Sequence, residues 1–347
     1  MTSPVLTTAS GAAISRRPRR LRYVWLVIAV GALAVLAVLS LVIGSRDVAW
    51  PDIIAALGGS TDNIGQAAIA KRIPRTVLAV LVGAALGLSG GVMQGVTRNP
   101  LADPSILGVN MGASLAVVGG IAWFGLSTAT GYIWTAIGGA AVAAVFVYTI
   151  GSLGRGGASP LKLALAGAAT SAALVSFITA IALPRADISA TIRSWQIGGV
   201  GGASFDSIVQ MLPFLVVGFA ICLLSARSLN ALALGDDLAA GLGERVAVVR
   251  GLAALGAVLL CGASTAIAGP IGFVGLVVPH LCRLLVGVDQ RWLLPFSALT
   301  GASLLVVADV AGRIAARPSE LDVGIITALI GAPVFIAIVR RQRGRAL

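Results

Sequence analysis

The chain has 347 residues, a net charge of +12, 11 % charged residues and 58 % apolar ones, with a mean hydropathy of +0.99. A soluble domain carries about 25 % charged and about 45–50 % apolar residues, so a soluble enzyme, a nucleic-acid-binding protein and a disordered tail are all excluded. The chain reads as an all-α, polytopic membrane protein. Its apolar runs are continuous, where strands of a membrane barrel would alternate. Its 44 glycines suit helices whose backbones approach closely.

Residues 1–22 are polar, then basic, and end in Arg16, Arg17, Arg19, Arg20 and Arg22. They are expected to be disordered and cytoplasmic. Residues 23–43 follow, 21 positions without a charge. That exceeds the roughly 7–15 residues of a signal-peptide core, so the segment reads as a retained first span. Span two is expected over 76–94. Residues 105–154 carry no charge and supply spans three and four, broken near 127–131. Span five covers 163–183 and span six 208–226. Residues 251–282 are again charge-free and break at Gly269-Pro270 into spans seven and eight. Span nine covers 292–308 and span ten 323–339, so the membrane domain runs over 23–340. Residues 341–347 form a basic tail.

Ten spans put both termini on one side of the membrane. The segments on that side carry 17 basic and five acidic residues, and those opposite carry eight of each. This asymmetry places both termini on the cytoplasmic side. It accounts for the pI near 11 without nucleic acid. Asn99-Pro100-Leu101-Ala102 is echoed by Gly269-Pro270-Ile271-Gly272, one loop inside and one outside, as inverted repeats of spans two to five and seven to ten would give.

No Asp, Glu, Lys or Arg falls inside a predicted span, which argues against a proton relay or voltage sensor. Cys222, Cys261 and Cys282 lack metal-ligand spacing and read as packing residues. His280 is alone and has no catalytic partner. The chain has no G-x-x-x-x-G-K-[ST] phosphate loop, so it does not hold ATP in that way. No catalytic residue, bound cofactor or bound metal is expected.

Two polar segments call for partners. Lys71-Arg72-Ile73-Pro74-Arg75 places three cations on the outer face. This suits lipid headgroups or an acidic docking partner. In the inner loop 227–250, Gly235-Asp236-Asp237 reads as a helix start, Leu238 and Leu242 share a face, and Gly243 ends the helix. Such a helix has nothing of its own to pack on and suits the membrane surface or a groove on another protein.

These residues carry a resemblance. The chain closely resembles the FecCD permeases, membrane subunits of type II ABC importers for ferric siderophores, haem and cobalamin. The matching motifs, in the family's order, are Arg72-Ile73-Pro74-Arg75, Asn99-Pro100-Leu101-Ala102-Asp103-Pro104, the loop from Ala233-Leu234-Gly235-Asp236 to Leu242-Gly243, Gly269-Pro270-Ile271-Gly272-Phe273 through His280, and Gly331-Ala332-Pro333-Val334-Phe335. The resemblance implies a BtuC-like ABC importer fold with ten transmembrane helices. It also implies a second permease subunit, identical or homologous, with the pathway at the dimer interface. Cytoplasmic ABC ATPase subunits would use ATP and Mg, and an extracytoplasmic substrate-binding protein would deliver the cargo. Arg72, Arg75 and Arg313 match outer arginines that pair with that protein. Asn99 and Leu101 match the cytoplasmic gate. Leu234, Gly235, Asp236, Asp237, Leu238, Leu242 and Gly243 match the helix that couples to the ATPase.

Ser159-Pro160-Leu161-Lys162 lacks the Ser-Thr gate pair of the cobalamin permeases, which counts against cobalamin. Trp195-Gln196-Ile197-Gly198 matches a stretch common to the family. A ferric siderophore is the expected cargo, with haem and cobalamin as alternatives. A stand-alone secondary transporter is the competing class. An intramembrane enzyme fails for want of a nucleophile–base pair.

Overall fold

A computed structural model describes residues 19–46, 48–153, 160–185, 192 and 195–343. The expected disordered segment 1–18, Asp47, Arg155 and Ser159, Asp187, Arg193 and Ser194, and tail residues 344–347 lie outside the described residues. The described chain forms α1 (Arg19–Val42), α2 (Trp50–Leu57), α3 (Ile64–Thr97), a 3₁₀ turn (Pro104–Leu107), α4 (Val109–Phe124), α5 (Ala129–Ser152) and α6 (Pro160–Ala182). It continues with α7 (Phe205–Leu224), α8 (Ala226–Leu232), α9 (Asp236–Gly241), α10 (Val246–Ala268), α11 (Val274–Val286), α12 (Gln290–Ala315) and α13 (Val323–Arg343).

Each of the ten expected spans falls on one of these helices. Among the described residues seven helices are long and apolar enough to cross a membrane, and three shorter apolar ones join them: α4, α11 and the first part of α13. The caps follow the sequence. Asn63 Oδ1 accepts from Gln66 N at 2.9 Å to start α3, and Thr128, Ser204 and Asp289 cap α5, α7 and α12 in the same way.

Helix α12 runs seven residues past the expected span nine, and three further differences lie near the N-terminus. Residues 19–22 are helical, because α1 extends its start into the basic cluster. A short helix, α2, fills the loop between α1 and α3; Pro51 in its first turn and Asp52 behind it suit a helix start. The third is α3, which begins 12 residues before the expected span. Its 34 residues reach about 51 Å at 1.5 Å per residue. The basic cluster 71–75 therefore lies within the helix and not ahead of it.

The centre of the bundle is α3, which packs on α12, α10, α11 and α1. The α3–α12 contact is backbone on backbone. A Cβ on Gly83 would stand 2.4 Å from the Gly301 carbonyl oxygen, and one on Gly87 would stand 2.2 Å from that of Ser297. The outer helices α1 and α6 expose most of their apolar surface. Such surface needs lipid or another protein against it.

Candidate functional site

The chain's chemistry gathers at three levels of the bundle. The first is the end where α1 and α12 finish. An α-helix leaves its last four carbonyls without partners, and α1 has no basic residue in its own last turn. Two distant arginines fill the gap. Arg72 Nη1 donates to Leu41 O at 2.9 Å and Val42 O at 3.0 Å, and its Nη2 donates to Arg46 O at 2.7 Å. Arg313 Nη1 donates to Ser40 O at 2.8 Å and Ile43 O at 3.0 Å. Arg317 adds a bond to Gly44 O at 2.6 Å.

Asp309 balances this charge. Its carboxylate is 0 % exposed, accepts from Arg75 Nε at 2.8 Å and pairs with Arg313 Nη2 at 2.8 Å one helical turn on. Arg75 also reaches Glu320, whose other oxygen accepts from Ser45 Oγ at 2.8 Å. Burial alone would raise the Glu320 carboxyl, but the bonds from Arg75 and Ser45 outweigh it and hold the group below the usual carboxylate range.

Arg72, Arg75 and Arg313, the arginines matched to a docking partner, therefore have internal partners, and Arg72 and Arg313 are buried. Arg75 is partly exposed beside Glu320, and Arg317 of the same cluster is exposed. Sequence reasoning misses Asp309 and Glu320. The i,i+4 spacing of Asp309 and Arg313 is the available signal.

The second level is the interior. After an exposed turn at Arg98 and Pro100, the chain folds back into the bundle at Ala102 and Asp103. A Cβ on Gly275 would lie 2.4 Å from Asp103 Oδ2 and 3.2 Å from Gly90 Cα. Gly90 stands seven residues, about 10 Å, above the end of α3. Asp309 and Arg313 lie beyond the expected span 292–308 and are nonetheless buried, and Asp103 stands against α11 from its loop. Each persists inside because it is hydrogen-bonded or paired. Asp103 Oδ1 accepts from Ser105 N at 2.8 Å and Ser105 Oγ at 2.5 Å.

Loop 269–273 enters the same region from the other end, so the two echoed loops precede the two short helices α4 and α11. Pro279 has no N–H for the Gly275 carbonyl one turn earlier. Gln94 Nε2 supplies the missing donor at 3.1 Å, and Arg283 holds the Gln94 oxygen. His280 lies on this helix beside Arg283, and no group of three potential metal ligands occurs among the described residues. The three cysteines are buried and unpaired in disulfides, as expected of packing residues.

The third level is the opposite end. Helix α9 starts at Asp236 after Gly235 (φ 118°) and closes on Gly243 (φ 89°), where Glu244 N bonds Ala239 O at 3.0 Å. Ala239 is buried against the protein, while Leu234, Leu238 and Leu242 are 59, 62 and 66 % exposed. The helix thus packs on α8 and α10 yet presents a leucine face that the described residues leave uncovered. Asp236 pairs with Arg98 and with Arg250. Next to Arg98, Asn99 Oδ1 accepts from Leu101 N at 3.0 Å and Ala102 N donates to Asn99 O at 3.1 Å, a tight turn. The gate-motif residues and the coupling-motif residues are therefore neighbours, joined through Arg98.

A profile of the FecCD transport family matches residues 32–341. The ferric enterobactin transport system permease protein FepD of Escherichia coli (strain K12) is 44 % identical over 317 residues, 90 % of this chain and 94 % of that protein. The iron(3+)-hydroxamate import system permease protein FhuB of Bacillus subtilis (strain 168) is 46 % identical over 272 residues, 78 % of this chain and 71 % of that protein. A solved structure described as a metal-chelate type ABC transporter in an inward-facing conformation superposes with a TM-score of 0.78. It shares 30 % identity and covers 92 % of this chain and 99 % of its own. With the profile covering most of the chain, relatives this similar over nearly their full length and ten apolar helices in the expected order among the described residues, the chain belongs to the FecCD transport family.

Proposed function

We propose that this chain is the permease subunit of an ATP-driven importer that brings ferric siderophores across the bacterial cytoplasmic membrane. The observation that carries the reading is the exposed leucine face of α9. An apolar helix face held off the bundle by one buried alanine fits a groove on a soluble partner, and an ATPase subunit is the partner this family calls for. The relatives named for ferric enterobactin and iron(3+)-hydroxamate support an iron chelate as cargo.

In this reading two permease subunits form the pathway between them, and ATP and Mg are used by the ATPase alone. An extracytoplasmic binding protein delivers the cargo, and both termini are cytoplasmic. Asn99 and Leu101 close the cytoplasmic gate. Docking of the binding protein falls to Arg75, which reaches the solvent-exposed Glu320. Arg72 and Arg313 shape the face from below by fixing the end of α1.

Two substitutions test the contacts. Leu238→Asp with Leu242→Asp places charges on an exposed face and leaves the fold alone. It is expected to cut the ATPase co-purified with the permease about tenfold or more. Undiminished co-purification would remove α9 as the coupling helix. Arg75→Glu is expected to weaken capture of the cognate binding protein by about tenfold, through repulsion of an acidic docking surface. Unaltered capture would place docking elsewhere.

A further inference from the structure

We infer that Arg98 is a positioning residue that ties the ATPase-facing helix α9 to the gate turn 99–101. The inference rests on the coupling and gate roles proposed above. Arg98 caps the end of α3 and is one of two non-glycine residues with positive φ among those described, at 52°. Non-glycine residues seldom adopt that conformation. Here it turns the chain straight from the end of α3 into Asn99. The bonds from Leu101 N to Asn99 Oδ1 and from Ala102 N to Asn99 O lock the next residues into one unit. A movement of Arg98 therefore carries Leu101 with it.

The other end of Arg98 is fixed to the coupling element. Its guanidinium pairs with Oδ1 of Asp236, the first residue of α9. The same oxygen accepts from Arg250 Nη2 at 2.8 Å, on the first turns of α10. One carboxylate thus holds α9 by two arms. The Arg250 arm only anchors α9 to the next helix, 14 residues on. The Arg98 arm crosses 138 residues of chain to the gate. Both arms are partly exposed. Solvent-exposed pairs are individually weak, so this link can break and re-form within one transport cycle.

The test uses the permease with its ATPase and binding protein in proteoliposomes and reads iron-55 chelate taken up per ATP hydrolysed. Arg98→Gln is expected to lower that ratio about fivefold, a usual size for a coupling position, with co-purified ATPase retained. Arg98→Lys keeps the charge and is expected to hold the ratio within about twofold, as is Arg250→Gln, which removes only the anchoring arm. An unchanged ratio in Arg98→Gln would overturn the inference. So would an equal loss in Arg250→Gln, or loss of the ATPase from Arg98→Gln, since each makes the contact purely structural. Failure of the underlying reading shows separately, as ATPase that stays bound to the Leu238→Asp, Leu242→Asp variant.

Discussion

Replacing Asp309 with leucine is expected to destabilise the protein by about 3–5 kcal/mol, the range for removing one partner of a buried ion pair. Asp309 is fully buried and faces Arg75 and Arg313, which lose the counter-charge they share. The consequences spread, since Arg313 also caps the last carbonyls of α1. Arg313→Met is expected to be damaging for that second reason. The double variant should cost less than the sum of the singles, because it leaves neither Asp309 nor Arg313 buried without the other. Thermal unfolding of the detergent-purified protein measures all three. Additive losses would show that Asp309 and Arg313 act independently.

Gly87→Leu is expected to remove folded protein from the membrane altogether. Its Cβ would stand 2.2 Å from the Ser297 carbonyl oxygen, and the neighbouring contact of Gly83 with Gly301 is nearly as close. These atoms belong to the backbone of α12 and yield only if the helix moves. Overpacking a well-filled core typically costs about 1–3 kcal/mol and more where backbone must shift. Here the shift separates the two most central helices, with α11 drawn in through Gly90 and Gly275. Gly138→Leu is the control: nothing lies within 4 Å of a Cβ there, and normal abundance is expected. Normal abundance of the Gly87→Leu protein would contradict the packing of α3 on α12.

Much of this architecture is legible in the amino-acid order. Charge-free runs locate all ten apolar helices, and Gly235-Asp236-Asp237 with Gly243 locates α9 because helix-start and helix-stop chemistry is local. What lies far apart in the chain is not. The carbonyls ending α1 are capped by Arg72 and Arg313, 30 and 273 residues away. Without that pairing the arginines read as surface cations awaiting a partner. The start of α3 is hidden for the same reason: a charged turn looks like a helix boundary until its charges find internal partners. Asp103 reads as a loop residue because nothing in Asn99–Pro104 says that the loop turns inward to Gly275. Pro279 carries a readable signal, a missing donor, but only the fold names Gln94 as its replacement.

The proposed activity is transport of a ferric siderophore driven by a partner ATPase. Its most direct test is iron-55 accumulation in proteoliposomes holding this permease, its ATPase and its binding protein. Ferric enterobactin and a ferric hydroxamate carry the iron-55, and iron-55 haem and cobalt-57 cobalamin are offered in parallel. Accumulation of an iron siderophore that requires ATP, the ATPase and the binding protein together is expected. Accumulation by the permease alone, or accumulation driven by a proton gradient without ATP, would contradict it.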